Sequence, residues 1–435
     1  MFKYILMGLG GGAALFAILI FSGKIPVGSN APSGPTGDIV IWGTLPQDSI
    51  SNILENLNLA VKTYKVSYQE IPERKFSDVL VSALANGAGP DMILAPYQII
   101  LKQTNRIYPF PYASIPEKTY KDNYVDGASV FLIPGGALAL PISIEPMVLF
   151  FNRALLSKHA IINPPQYWDE ITTLTPSLTV KDKNGNFTES SISFGTSNND
   201  SYPKDLLMTM VYQLKQLPVV QSFNQKGATY EVTANTEIPT SDKSKLLPLA
   251  TAVRYYTQFS DPAKQTYTWN YAMPNAQDAF VAEKLALYVG YSSEQSAIMQ
   301  KNQKINFDMT YLPQTKGAGT VVTGMKLYGI ATLRQSKFLS TALTAEAALA
   351  GNPYGPQIAQ TTSGMSPIKA VSQADSNIGE VAKRSSLVAR GWYDVDQEGS
   401  MNLFYIMMQE VLSGKKDLND AVDDFVKKLG DLYNN

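Results

Sequence analysis

Between Ile39 and Leu94 the sequence changes period four times, and no other feature restricts the fold as strongly. Ile39-Val40-Ile41-Trp42 is a short apolar run closed by Gly43, which reads as a buried strand entering a loop. Ile50, Ile53, Leu54, Leu57 and Val61 then recur at helical spacing, with Ser49 or Ser51 placed to cap the helix. Val66 and Tyr68 suggest a second strand, and Phe76, Val79, Leu80, Ala83 and Leu84 a second helix stopped by Gly87 and Gly89. Met92-Ile93-Leu94 follows Pro90-Asp91 as a third strand. Strand, helix, strand, helix, strand predicts an α/β fold, a mostly parallel sheet covered on both faces.

The same reading extends along the chain. Leu138–Leu140 and Met147–Phe151 are two apolar runs separated by Pro141-Ile142-Ser143-Ile144-Glu145-Pro146, and Asn184-Gly185 marks a hairpin turn. Helical patterns cover 203–217 and 246–259, and a helix over 280–286 feeds the strand Leu287-Tyr288-Val289. Met309–Leu312 and Leu327–Ala331 are strands, and 401–432 holds two helices broken at Ser413-Gly414. There is no internal repeat of 20–50 residues.

Composition narrows the chemistry. The 36 basic and 37 acidic residues nearly cancel, which gives no electrostatic footprint for nucleic acid. Zero cysteines exclude disulfides, thiolate metal sites and cysteine nucleophiles, and a single histidine, His159, excludes any site built on two imidazoles. His159 follows Ser157-Lys158 and reads as a surface residue near a helix C-terminus. No cofactor or metal is expected. Asp394, Asp396, Glu398 and Gly399 imitate the start of a calcium loop, but position twelve is Tyr405 instead of a bidentate Glu. That stretch reads as a solvated acidic loop.

Tyr4 to Gly23 is an uncharged, mostly apolar run long enough for a helix of about 30 Å, the thickness of a bilayer core. Gly8, Gly10 and Ala13 match a dinucleotide fingerprint, yet neither the preceding strand nor the downstream acidic residue is present. The run predicts one N-terminal transmembrane helix at 1–23, an uncleaved anchor in preference to a signal peptide, since a small-residue cleavage site is missing directly after it. Lys3 places the remainder outside the cytoplasm. Residues 24–37, rich in Pro, Gly, Ser and Asn, read as a flexible stalk.

Four segments together resemble the extracellular solute-binding proteins of ABC importers, in their carbohydrate-binding, maltose-binding-like group (family 1). They are Phe76–Leu80 with Ala88–Ile93; Ala139–Pro141 through Phe150–Arg153 to Asn163-Pro164-Pro165-Gln166-Tyr167-Trp168-Asp169-Glu170; Asp278–Phe280 to Val289–Tyr291; and Val411–Lys415 with Ala421. The resemblance covers about Asp38 to Tyr433. It implies a two-lobed periplasmic-binding-protein-like fold with hinge crossovers that closes around a small-molecule solute. An N-lobe would hold 38–143 plus 327–371 and a C-lobe 146–324 plus 372–435, with hinge strands at Pro141–Pro146 and Val321–Gly324. The implied function is capture of a sugar or oligosaccharide for ABC permease subunits, without catalysis, on the extracytoplasmic face of the membrane.

Sugars are held by flat aromatic faces and by carboxylates, amides or cations that bond hydroxyls. Trp42 and Tyr97 follow strands, where ligands of open α/β sheets lie. Glu145 stands in an apolar crossover and needs a partner on desolvation grounds; the resemblance makes it a ligand-bonding Glu. The resemblance also points to Tyr291, beside a sugar-stacking position, and to Trp392 and Tyr393 in Arg390-Gly391-Trp392-Tyr393-Asp394. Trp269 belongs to a polar loop before a helix. After the Pro-Asp strand the chain reads Ala95-Pro96-Tyr97-Gln98, without the Trp and Asp-Arg pair of the maltose-binding protein; Gln98 could still bond hydroxyls. Two rival functions stand beside this one: a surface glycosidase or lyase using paired carboxylates, and a bilobal adhesion or scaffold protein without a ligand.

Overall fold

The computed structural model describes residues 35–200, 202–224, 227–239, 245–319, 321–370 and 377–434. The expected membrane helix at 1–23 and most of the stalk lie outside them, as does the boundary at 371–372. Among the described residues no helix is long and apolar enough to cross a membrane.

Nine strands form one mixed sheet. In chain order they are β1 (Gly37–Gly43), β2 (Tyr64–Glu70), β3 (Met92–Pro96), β4 (Leu140–Asn152), β5 (Val180–Lys181), β6 (Phe187–Ile192), β7 (Leu285–Tyr291), β8 (Phe307–Tyr311) and β9 (Met325–Thr332). Their spatial order is β2-β1-β3-β9-β4-β7-β6-β5, with β8 also paired to β4. β1 runs parallel to β2 and β3, and β7 parallel to β6. The first parallel group is built by α1 (Gln47–Ala60) and α2 (Glu73–Ala85), the two helices read from their apolar stripes.

β4 joins the two groups. The two apolar runs and the Pro141–Pro146 stretch between them form one continuous strand of 13 residues. Its first part pairs with β9, Leu140 to Pro146 against Ile330 to Met325. Its second part pairs with β7 and β8, Met147 against Tyr291 and Val148 against Tyr311. Pro141 and Pro146 supply no N–H to the ladder, and the register slips between Tyr328 and Gly329, opposite the Ser143–Pro141 stretch. A bulge there bends the strand locally without ending it.

The core alternates as the pleat requires. Met147 and Leu149 of β4, with Leu287, Val289 and Tyr291 of β7, belong to one apolar cluster, whereas Val148, Phe150 and Tyr288 belong to another on the opposite face. Near β1 and β3, Ile39, Ile41, Met92 and Leu94 pack on one face and Ile93 and Ala95 on the other. Each strand group is therefore covered on both faces, a two-lobed arrangement joined through β4.

One boundary moved. The helix expected over 280–286 is α3 (Ala276–Val281), because Glu283 takes a left-handed conformation (φ 57°) and starts β7 early at Leu285. One residue of the acidic loop is not solvated: Asp394 is buried and ion-paired to Lys204, whereas Asp396 is half-buried and Glu398 exposed. His159 does cap a short helix, within 3.1 Å of Glu189.

Candidate functional site

Strand direction decides where polar groups converge. β1, β2 and β3 end together at Gly43, Glu70 and Pro96. Their carboxyl edge carries Thr44, Glu73 at the start of α2, and Tyr97-Gln98. From the other lobe, β6 leads towards Tyr202 and the helix Pro203–Gln213, and β7 ends at Tyr291 followed by Ser292-Ser293. Carboxyl ends from both lobes thus face one gap, floored by β4 and β9.

The floor is polar on one face. The register places Glu145 opposite Lys326 and Ser143 opposite Tyr328, so these four side chains project the same way. Glu145 accepts a 2.5 Å hydrogen bond from the Ser293 hydroxyl. Burial raises its carboxyl above the usual range, and that bond, then the Lys326 charge, works against the rise. Glu73 is raised by burial in the same way and opposed by the same ammonium.

Aromatic groups gather around that cation. The Lys326 Nζ lies 4.6 Å from the Tyr202 ring centre and 4.3 Å from that of Tyr291, and the two rings meet edge to face at 4.6 Å. Asp205 ties two of the expected aromatics together: Tyr291 donates its hydroxyl to Oδ2 at 3.1 Å, and Trp392 donates Nε1 to Oδ1 at 3.5 Å. Behind them Lys204 donates to Asp394 at 2.5 Å and to Ser400 at 2.6 Å, and lies 5.1 Å from the Trp392 ring.

The expected residues divide. Tyr97, Glu145, Tyr291 and Trp392 come together where the two strand groups meet, all buried; Tyr97, Asp205, Gly391 and Trp392 leave a space of only ≈ 10 Å³ there. Tyr97 faces Gly391 across the gap; a Cβ there would lie 3.1 Å from its ring. Tyr393 is half-buried and packs against the cores of both lobes. Trp42 and Gln98 are half-buried at their strand ends, Trp42 against the core that also holds Tyr97. Trp269 does not join them. It is fully buried in the cluster of Phe280 and Tyr288, its Nε1 donating to Asn199 at 3.2 Å, and belongs to a different core cluster from Tyr291 and Trp392. Two positions on, Tyr271 is 45% exposed and its hydroxyl meets Ser197 and Gln409.

Sequence reasoning missed Tyr202, Asp205 and Lys326. A lysine inside the apolar run Met325–Ala331 was a usable signal, since such a charge needs a partner. Pro203 at a helix start was another, for it fixes Tyr202 and Asp205 on the first turn. Together the groups offer aromatic surface, hydroxyls, carboxylates and one ammonium from both sides of a gap.

The fold has close counterparts in shape. The structure matches a cyclo/maltodextrin-binding protein complexed with maltotetraose at a TM-score of 0.72 and 14% identity, covering 92% of this chain and 98% of that one. It matches the cyclic alpha-maltosyl-1,6-maltose binding protein from Arthrobacter globiformis at 0.71 and 14%, covering 92% and 100%. It also matches an ABC substrate-binding protein from Listeria monocytogenes in complex with cycloalternan at 0.68 and 13%, covering 91% and 99%. No curated protein matches the sequence. The model of the bacterial extracellular solute-binding protein family matches residues 53–382, well over half of the chain, and the protein belongs to that family.

Proposed function

We propose that this protein is the extracytoplasmic substrate-binding component of an ABC importer, which captures a sugar or oligosaccharide between its lobes by hinge closure and presents it to the permease subunits. One observation carries the reading: aromatic rings and hydroxyl-bonding groups from both lobes, Tyr97 and Glu73 on one side and Tyr202, Asp205, Tyr291 and Trp392 on the other, converge over the Glu145–Lys326 floor. A ligand must touch both lobes to shift an open–closed equilibrium. The maltodextrin, cyclic maltosyl-maltose and cycloalternan relatives support a carbohydrate as that ligand. The N-lobe comprises 38–143 plus 327–371 and the C-lobe 146–324 plus 372–435, hinged at Pro141–Pro146 and Val321–Gly324. Trp42, Tyr97, Gln98, Glu145, Tyr291, Trp392 and Tyr393 contact the ligand, and the segment 1–23 anchors the protein to the outer face of the membrane. It carries out no chemistry on its ligand.

Calorimetric titration with neutral mono- and oligosaccharides tests this. Saturable binding near −8 kcal/mol, about micromolar, is expected, with the sugar recovered unchanged. Absence of binding across the panel, or turnover of the sugar, would overturn the reading.

A further inference from the structure

The amino ends of β1, β2 and β3, with the end of β9, form the pole of the protein opposite the gap. The chain enters the fold there. Thr341 donates its hydroxyl to the Thr36 carbonyl at 2.8 Å, and Gly37 lies so close to Phe338 that a Cβ would stand 2.6 Å from the ring. Only the 13 residues 24–36 separate this point from the apolar segment 1–23. At roughly 3.3–3.6 Å per residue they span at most about 45 Å, so a bilayer holding that segment is always within reach of this pole.

The pole is basic although the net charge of the chain is -1. Lys62, Lys65, Arg106, Arg334 and Lys337 are all exposed. Lys62 and Lys65 line an open groove of ≈ 720 Å³ together with Val61, Tyr64 and Phe338. Arg334 lies beside Arg106, its backbone N–H bonded to the Arg106 carbonyl at 2.9 Å. The carboxylates beside these cations are Asp38 and Asp91. Asp91 is already satisfied, by the Val40 N–H at 3.0 Å and the Ser336 hydroxyl at 2.6 Å, which leaves Asp38. Two large apolar side chains also stand here, Phe338 at 41% and Leu59 at 71% exposure. Exposed apolar groups among Lys and Arg suit a headgroup layer, where acidic lipids attract the cations and the interface takes up the ring.

We infer that this pole is a docking surface for an anionic phospholipid bilayer, the membrane that carries segment 1–23, with the five cations on headgroup phosphates and Phe338 and Leu59 in the interface. The gap, at the opposite carboxyl edge, then faces away from the membrane and stands open to solute. The inference rests on the anchor reading of 1–23.

The chain has no cysteine, so a single one can be introduced as a label site. The full chain in nanodiscs carries a fluorophore at Gln335→Cys on the pole or at Ile162→Cys on the other lobe, both exposed positions. A headgroup-nitroxide lipid quenches the fluorophore on contact. Quenching at position 335 is expected to rise about threefold or more when phosphatidylcholine discs receive about 30% phosphatidylglycerol, and to fall back in about 1 M salt, where charges are screened within ~3 Å. Position 162 should respond to neither change. Lys62→Glu, Lys65→Glu and Lys337→Glu together should abolish the rise. Equal quenching in the two discs, an equal response at both positions, or a rise that survives the triple substitution overturns the docking surface and leaves the anchor intact. A chain that alkaline carbonate strips from vesicles overturns the anchor, and this inference with it. If the triple variant does not fold, the lipid and salt comparisons on the unsubstituted pole still decide.

Discussion

Lys204 and Asp394 form an ion pair that is 1% exposed on each side, completed by the hydroxyls of Ser400 and Tyr433, both donating to Asp394. Every strong donor and acceptor is matched, which is what makes a buried charge tolerable. Lys204→Met leaves the carboxylate stranded, and a loss of about 3–5 kcal/mol in chemical denaturation is expected. Glu346 is a second buried carboxyl, bonded by the Thr332 hydroxyl at 2.7 Å and lacking a partner on Oε1. Burial raises it from the ordinary 4.5 to about 8. Between those values the folded protein holds a proton that the unfolded chain has released, so stability falls as pH rises through that window, by up to about 1.4 kcal/mol per pH unit. Glu346→Gln removes that slope; urea midpoints at pH 5 and pH 8 should separate the variant from the unaltered protein only at the higher pH. Neither residue was legible in the sequence. Asp394 sits among Asp396 and Glu398 and reads as solvated until a lysine 190 positions away is placed against it. Trp269 is similar: a polar neighbourhood along the chain says nothing of the core that folds over it.

At the scale of elements, local period carried the reading well where strands and helices alternate, and β1 to β3 with α1 and α2 lie where the stripes put them. At β4 the two apolar runs and the crossover strand at Pro141–Pro146 merge into one strand, because both prolines occupy places where the ladder can spare a donor. Closure depends on another local detail, Gly391. A Cβ there would meet Met325 Cε at 2.7 Å and the Tyr97 ring at 3.1 Å, across the interlobe gap. Gly391→Ala is therefore expected to hold the lobes apart, weakening ligand binding by about 1–3 kcal/mol, the range for overpacking. Calorimetry would show this, with little change in unfolding of either separate core.

The molecule as a whole is one mixed sheet whose two strand groups, each covered on both faces, are joined through β4. Tyr393 and Val395 pack against the cores of both groups. Lys102 reaches Asp396 at 3.1 Å and Arg390 reaches Asp126 at 2.9 Å, but all four are partly exposed and each such pair contributes about 0–1 kcal/mol. Closure without a ligand therefore rests on modest contacts, and an occupant bridging both walls can bias it decisively. Small-angle X-ray scattering of the protein with and without a saturating oligosaccharide tests this most directly. The radius of gyration should fall on binding, and Gly391→Ala should start from a larger value. An unchanged radius at proven saturation, in both proteins, would contradict capture by closure.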